Sequence, residues 1–354
     1  MNIWAYIAKR VLLMIPTLFG VIAITFAVIQ FVPGGPVEQA LMELKQGAQT
    51  GGGEASGGGA SQYRGRQGID ADRVKEIKAL YGFDKPPLAR FWQMVKGFLT
   101  FDLGQSFYHH MDVWSLVKSK LPVSISIGLW TFFLTYFISV PLGVAKAIRE
   151  GSRFDVATSI AVLIGYSIPG FVLGVLLLVL FGGGSFVQWF PLRGLTSDYW
   201  DSLSWTGKIL DYLWHITLPV VASVAGSFAV MTMLTKNTFL EEIRKQYVLT
   251  ARAKGLSERT VLYKHVFRNA LIPLVTGFPA AFIGAFFAGS LLIETLFSLD
   301  GLGLLSYESV VRRDYPVVMG TLYLFTLIGL IVKLLGDLCY VWADPRVQFE
   351  SLAR

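Results

Sequence analysis

Cysteine is almost missing from this chain: Cys339 is the single one among 354 residues. A lone thiol closes no intramolecular disulfide and builds no cysteine-rich metal site. Histidine is scarce too, and its four copies do not make a ligand set. His109 and His110 are neighbours in one polar stretch, His215 stands at the edge of an apolar run, and His265 lies in a basic loop. Charge is the third shortage. Only 16% of residues are Asp, Glu, Lys or Arg, against about 25% in soluble domains. The net charge of +7 is spread along the flanks of apolar runs rather than gathered on one module, which excludes a nucleic-acid partner. A phosphate-cradling loop is also lacking. The Gly207-Lys208 pair is followed by Ile209 and has Ser202 where the leading glycine belongs, so the chain is not expected to bind ATP itself. Clustered His, Asp or Glu near one interface, as a membrane-embedded enzyme needs, are absent, and no catalytic residue and no metal site are assigned.

What fills the space is long apolar runs. Spanning a bilayer takes about 20 such residues, and six segments qualify, at 11–32, 122–146, 156–181, 213–235, 270–293 and 316–341. No charge interrupts Val156–Phe181 or Asn269–Ile293, which is informative because one charge at a helix centre costs about 2.5–3.5 kcal/mol on insertion. The first run is too long for a signal-peptide core and is read as an uncleaved span. Six spans place both termini on one side. With those ends inside, the short inner loops hold Lys146, Arg149, Arg153 and then a dense basic stretch, while the short outer ones hold Arg193, Lys208, Arg312 and Arg313. That asymmetry puts both termini in the cytoplasm.

The expected organisation is an all-α membrane protein. Residues 1–32 form the cytoplasmic N-terminus and first span, 33–121 a long outer segment, and 122–354 a core of five spans. Within the outer segment Pro33-Gly34-Gly35-Pro36 stops the first helix, and 47–68 is a Gly-rich flexible insert. A short helix follows from Asp70 to Gly82, then an amphipathic piece from Phe91 to Leu99. Pro141, Pro169, Pro219 and Pro279 predict bends within spans, and glycines such as Gly143, Gly170, Gly174 and Gly284 predict close helix packing.

The dense basic stretch lies between the fourth and fifth spans, over 236–272. From Lys236 to Pro273 it carries eight Lys or Arg against Glu241, Glu242 and Glu258. Phe239, Leu240, Ile243, Tyr247 and Ala251 recur on one helical face. Gly255 suits the left-handed residue that ends that helix, and Ser257 suits the N-cap that opens a second one. Val261, Leu262, Val266 and Phe267 give the second helix its own stripe. Two helices with an apolar ridge, exposed between spans, read either as a docking surface or as a solvated loop that fixes orientation.

Two charged features remain open in the sequence. Lys333 and Asp337 share a face of the sixth span, as a proton relay or as a pair bracing neighbouring helices near the interface. Glu294, just beyond the fifth span, is an ordinary boundary charge or lines the outer mouth of a pathway together with Phe297.

Ala251-Arg252-Ala253-Lys254-Gly255-Leu256-Ser257, followed by Arg268-Asn269-Ala270-Leu271-Ile272-Pro273, resembles the cytoplasmic loop of permease subunits of peptide-importing, binding-protein-dependent ABC transporters. The resemblance covers most of the chain. It includes Arg10-Val11, Leu80-Tyr81-Gly82-Phe83-Asp84-Lys85-Pro86, Asp102-Leu103-Gly104-Gln105-Ser106 and Lys120-Leu121-Pro122. Later it takes in Glu294-Thr295-Leu296-Phe297-Ser298, Gly301-Leu302-Gly303 and Asp344-Pro345-Arg346. The Gly-rich insert and the Pro-Gly-Gly-Pro turn are most like the oligopeptide and microcin C branch. There are departures. Leu249 stands where the general loop motif has Glu, and Gly35 replaces an acid common in the turn.

The resemblance implies a fold and a role. The fold is the type I ABC importer permease, with a long periplasmic segment after the first helix and a coupling-helix loop between helices 4 and 5. The role is that of a non-catalytic permease subunit in a bacterial inner membrane, moving oligopeptides or peptide-like compounds from periplasm to cytoplasm. The partners it implies are a second homologous permease subunit, an ABC ATPase with two nucleotide sites that holds ATP and Mg, a periplasmic peptide-binding protein, and membrane lipid. The residues it points to for ATPase docking are Tyr247, Thr250, Ala251, Lys254, Gly255, Leu256, Leu262 and Phe267. A self-contained ion-coupled carrier for peptides is the rival reading, and it would show buried acids at mid-membrane and inverted repeats.

Overall fold

The computed structural model describes residues 3–31, 84–183, 186–287 and 291–343. The Pro-Gly-Gly-Pro turn, the insert at 47–68, the helix expected from Asp70 and the closing Asp344-Pro345-Arg346 lie outside the described residues. Among the described residues the regular structure is helical: α1 (Ile3–Phe31), α2 (Pro87–Leu99), α3 (Val113–Ile148), α4 (Arg153–Ser167), α5 (Gly170–Phe181), α6 (Trp205–Ile243), α7 (Gln246–Ala253), α8 (Glu258–Ala270), α9 (Ile272–Phe287), α10 (Leu291–Leu296), α11 (Leu302–Val311) and α12 (Tyr315–Ala343). Four of them, α1, α3, α6 and α12, are long and apolar enough to cross a membrane, and the count is up to six if each of two bent pairs is one span.

Of the four bends expected at prolines, the one at Pro169 is a full break between two helices. The run 156–181 is two helices, α4 and α5, at 93° to each other. The break falls at Ile168-Pro169, where Ile168 is extended and Pro169 opens α5 without a side-chain cap, as the clash between proline and a helical predecessor demands. The second break, of 48°, falls at Leu271, where α8 of the basic stretch meets α9 at the start of the fifth run. By contrast Pro141, Pro219 and Pro279 sit inside continuous helices. The helices also outrun the apolar stretches. α3 begins at Val113, nine positions ahead of the expected start at 122, because Asp112 caps it by accepting the Ser115 N–H at 2.9 Å.

The chain divides into two compact units. One comprises Leu13–Val117 and Ser306–Leu327. In it Phe91 meets Phe19 and Phe26 edge to face, Phe98 packs on Tyr323, and Leu103 and Val113 are buried. Asp314 gathers the turn after α2 by accepting from Ser106 Oγ at 2.5 Å and Phe107 N at 3.0 Å. A cavity of about 460 Å³ in this unit is lined by Gln30, Arg90, Gln93, Asp102 and His110 among others.

The other unit comprises Met1–Leu12, Lys118–Leu305 and Ile328–Arg354. Its helices approach closely at small residues. A Cβ on Gly128 would lie 1.6 Å from the Ala285 carbonyl oxygen, so α3 and α9 touch backbone to backbone there. Gly143 meets Thr232 and Thr235 of α6, and Gly174 meets Ala222 of α6 and Leu296 of α10. Gly165, Gly277 and Gly284 have open space instead, so only part of the expected glycine packing is used.

The candidate coupling surface and transport cavity

The basic stretch folds as two helices over one buried cluster. Val248 and Ala251 of α7 and Val261, Val266 and Ala270 of α8 pack with Val144 and Ala147 of α3 and Phe239 of α6. The single helical face expected from Phe239 to Ala251 is interrupted at Lys245, which is extended, so α6 ends at Ile243 and α7 starts afresh at Gln246. Gly255 has φ +79°, and its N–H donates to Arg252 O at 2.9 Å while that of Leu256 reaches Ala251 O at 3.3 Å. Ser257 caps the next helix by accepting the Thr260 N–H at 3.4 Å. Both terminators therefore stand where the sequence puts them. The π-helical turn Val261–Val266 inside α8 carries no sequence signal of its own. It rotates the stripe so that Val261 and Val266 are both buried.

The residues expected at the docking face divide into two groups. Thr250, Lys254, Gly255 and Leu256 are exposed. Ala251 is buried in the cluster, and Tyr247, Leu262 and Phe267 lie half-buried against it. Phe267 sets its ring on Phe239 at 5.9 Å, and the Tyr247 hydroxyl donates to Glu242 Oε2 at 2.7 Å. Burial holds the Tyr247 hydroxyl above its ordinary pKa, ahead of the Asn269 contact, which lowers it, and the Glu242 contact, which raises it. These four form the seat, not the outward face. The apolar groups that do point outward include two that the sequence reading passed over, Leu249 at 51% and Tyr263 at 57% exposure. Helical spacing could have flagged Leu249, which is two positions from buried Ala251 and so on the opposite side of α7.

Beneath the cluster lies a buried ionic knot that sequence reasoning missed. Asp155 near the start of α4 accepts Lys236 Nζ on both oxygens at 2.7 Å. Lys146 of α3 is wholly buried, stands 3.2 Å from Asp155 Oδ1, and donates to Asp155 O, Thr158 Oγ1 and Ser159 Oγ. Three helices are thereby tied at one point. Lys146 sits next to Ala147 of the cluster, and Lys236 is one turn before Phe239.

Glu294 and Phe297 do not line an open mouth. Glu294 in short α10 is fully buried, and its Oε2 accepts the Leu304 N–H of α11 at 2.7 Å. Ser124 Oγ lies 3.5 Å from Oε1 and accepts the Leu302 N–H at 2.8 Å. The carboxylate thus serves the N-terminal N–H groups of α11, whose positive end favours an anion. Burial outweighs those hydrogen bonds and holds the Glu294 carboxyl above its usual pKa. Phe297 belongs to the apolar cluster of Ile127, Leu218, Ala222, Ile293 and Leu299. The expected Lys333–Asp337 pair is also replaced. Asp337 Oδ2 accepts Tyr6 Oη at 2.7 Å and Arg10 at 2.8 Å, and Lys333 is exposed. Arg10 wins because it brings a guanidinium and a positioned tyrosine from a second helix, whereas Lys333 gains more from solvation.

A cavity of about 870 Å³ opens between α3, α5, α6 and α9. It is walled by Phe132, Tyr136, Ala222, Gly226, Ala281 and Gly284 with others, and no Asp, Glu, Lys, Arg or His is among its lining residues. Phe132 and Tyr136 of this wall pack against each other, and Phe132 meets Phe278 and Phe282 edge to face. Glu294 and Phe297 are not part of this wall.

Residues 139–349 match the family described as "Binding-protein-dependent transport system inner membrane component". Over 98% of its length the chain is 55% identical to the peptidoglycan transport system permease protein YejB of Agrobacterium fabrum, covering 98% of that protein. It is 52% identical to the inner membrane ABC transporter permease protein YejB of Escherichia coli O157:H7, over 98% of this chain and 99% of that one. It is also 31% identical to the dipeptide transport system permease protein DppB of Escherichia coli K12, again over 98% and 99%. An inward-facing structure of the MetNI methionine ABC transporter is 19% identical and covers 65% of this chain and 97% of that one. Its TM-score of 0.47 is too loose to bear on the site. A family match across most of the helical core and near-full-length relatives together place this chain among the inner-membrane permease components of binding-protein-dependent ABC transport systems.

Proposed function

We propose that the chain is one of two homologous permease subunits of an ATP-driven importer for oligopeptides, including those released from peptidoglycan. The family implies an ATPase partner and a binding protein. In this reading the ATPase holds ATP and Mg at its own two sites, the binding protein delivers peptide from the periplasm, lipid surrounds the spans, and both termini are cytoplasmic. Support for the substrate class comes from the transport roles in the names of the relatives.

The observation that carries the mechanism is the α7–α8 pair. It presents Leu249, Leu256 and Tyr263 outward while its inner face is locked onto α3 and α6 through the buried cluster. A rigid seat under an exposed apolar ridge transmits a push rather than absorbing it. ATP-driven closure of the ATPase pair would move this ridge, and α3 and α6 with it, switching the cavity between outward and inward access.

Leu249→Asp and Leu256→Asp test the docking. Each should leave the permease in the membrane and uncouple peptide uptake from ATP hydrolysis, measured in vesicles holding the whole assembly. Wild-type uptake with normal ATPase co-purification from both variants would refute the docking face. Uphill uptake by the lone chain without an ATPase would refute the importer reading and favour the ion-coupled carrier.

A further inference from the structure

Hydroxyls in membrane helices commonly satisfy themselves on their own backbone. Thr17, Thr217, Ser223, Thr235, Thr321 and Thr326 each donate to the carbonyl four residues earlier. Thr131 and Thr135 of α3 do not. Their Oγ1 atoms are buried and make no hydrogen bond within the described protein, and Thr135 is only 4% exposed. Both line the 870 Å³ cavity. A buried hydroxyl without a partner is costly and uncommon, and where it belongs to a cavity wall, as for Thr131 and Thr135 but not Thr232, an occupant can supply the missing partner.

Their spacing says what that partner is. Residues four apart on a helix are separated by about 6 Å along its axis. An extended peptide presents backbone groups on the same side every second residue, about 6.6–6.8 Å apart. The wall around the two threonines carries no Asp, Glu, Lys, Arg or His, so it offers a peptide's own charged groups no ion-pair partner. Phe132, one position from Thr131, and the small residues Gly226 and Gly284 give an apolar surface that accepts varied side chains.

Resting on the importer reading above, we propose that Thr131 and Thr135 form a peptide-backbone binding stripe inside the permease. They hydrogen-bond successive same-side amide groups of an extended oligopeptide during its passage. Recognition of backbone rather than side chains lets one cavity pass many sequences. It also gives the permease a selectivity of its own, for extended amide chains over compact or non-amide solutes.

The test uses the complete assembly in vesicles with radiolabelled tetra-alanine. Losing two net hydrogen bonds predicts roughly tenfold slower uptake below saturation for Thr131→Val/Thr135→Val, with binding-protein-stimulated ATP hydrolysis retained. Thr131→Ser/Thr135→Ser keeps both hydroxyls and should restore uptake to within about twofold of wild type. Thr232→Val removes a buried unpartnered hydroxyl outside the cavity wall and should leave uptake unchanged. In a Cys339→Ser background, Thr135→Cys should be alkylated more slowly when tetra-alanine is present, a readout independent of the valine variants. Wild-type uptake by the double valine variant, a serine variant as impaired as the valine one, or peptide-insensitive alkylation would each overturn the proposal. No tetra-alanine uptake by the wild-type assembly would overturn the importer reading, and this stripe with it.

Discussion

Replacing Asp155 with Asn should do more damage than any surface change around the α7–α8 pair. The substitution keeps the side-chain volume and an acceptor for the Gly151 N–H, which stands 3.2 Å from Oδ2. It removes the only negative charge in the knot and leaves two ammonium groups in one poorly solvated place, Lys146 with its side chain at 0% exposure and Lys236 at 14%. Taking one partner from a buried ion pair costs about 3–5 kcal/mol. Lys146 keeps three oxygen acceptors in Asp155 O, Thr158 Oγ1 and Ser159 Oγ. Lys236 is near enough to the surface to regain some water, so the lower end applies, about 3 kcal/mol. Reversible unfolding by SDS titration in mixed micelles reads this directly. A double-mutant cycle makes the test specific. In the Lys236→Met background one of the two stranded cations is already gone, so Asp155→Asn should cost at least about 1 kcal/mol less there than in wild type. A cost under about 0.5 kcal/mol for Asp155→Asn alone, the range of ordinary surface changes, would refute the claim that the knot holds α3, α4 and α6 together. Strictly additive effects would refute it as well.

Two further outcomes follow from the same unit. Gly128→Val should abolish assembly of a normally packed core, because its Cβ would lie 1.6 Å from a backbone oxygen that no rotamer can move aside; Gly277→Ala, with open space around it, should be tolerated, and size-exclusion profiles in detergent separate the two. Glu294 gives a pH signature. Its folded pKa is raised by burial, so the folded protein binds more protons than the unfolded one. The stability contribution at this site is then fullest below the ordinary carboxylate pKa and declines as pH rises through the shifted one. Glu294→Gln should flatten that decline in unfolding measured from acid to neutral pH, and an unchanged slope would contradict the assignment.

The class of this protein follows from its residues alone. Long runs such as Val156–Phe181, free of charge, have nowhere to go but a membrane or a fully buried core. The left-handed stop at Gly255 and the cap at Ser257 are local chemistry, decided within a few residues, so they are legible without tertiary structure. The motif around Ala251–Ser257 carries the family by the same token. Helical periodicity, however, defines a face without saying what the face meets. Leu262 and Phe267 read as an outward ridge and turned out to be the seat, because α3 and α6 supply Val144, Ala147 and Phe239 for them to cover. Charges behave likewise. Asp337 pairs with Arg10 rather than with Lys333 one turn away, and Asp155 finds Lys236 across 81 positions of sequence. Glu294 ends on the α11 N-terminus rather than in a pathway. A buried charge takes the partner that desolvates it least expensively, and which partner stands within reach depends on how the whole chain folds back on itself.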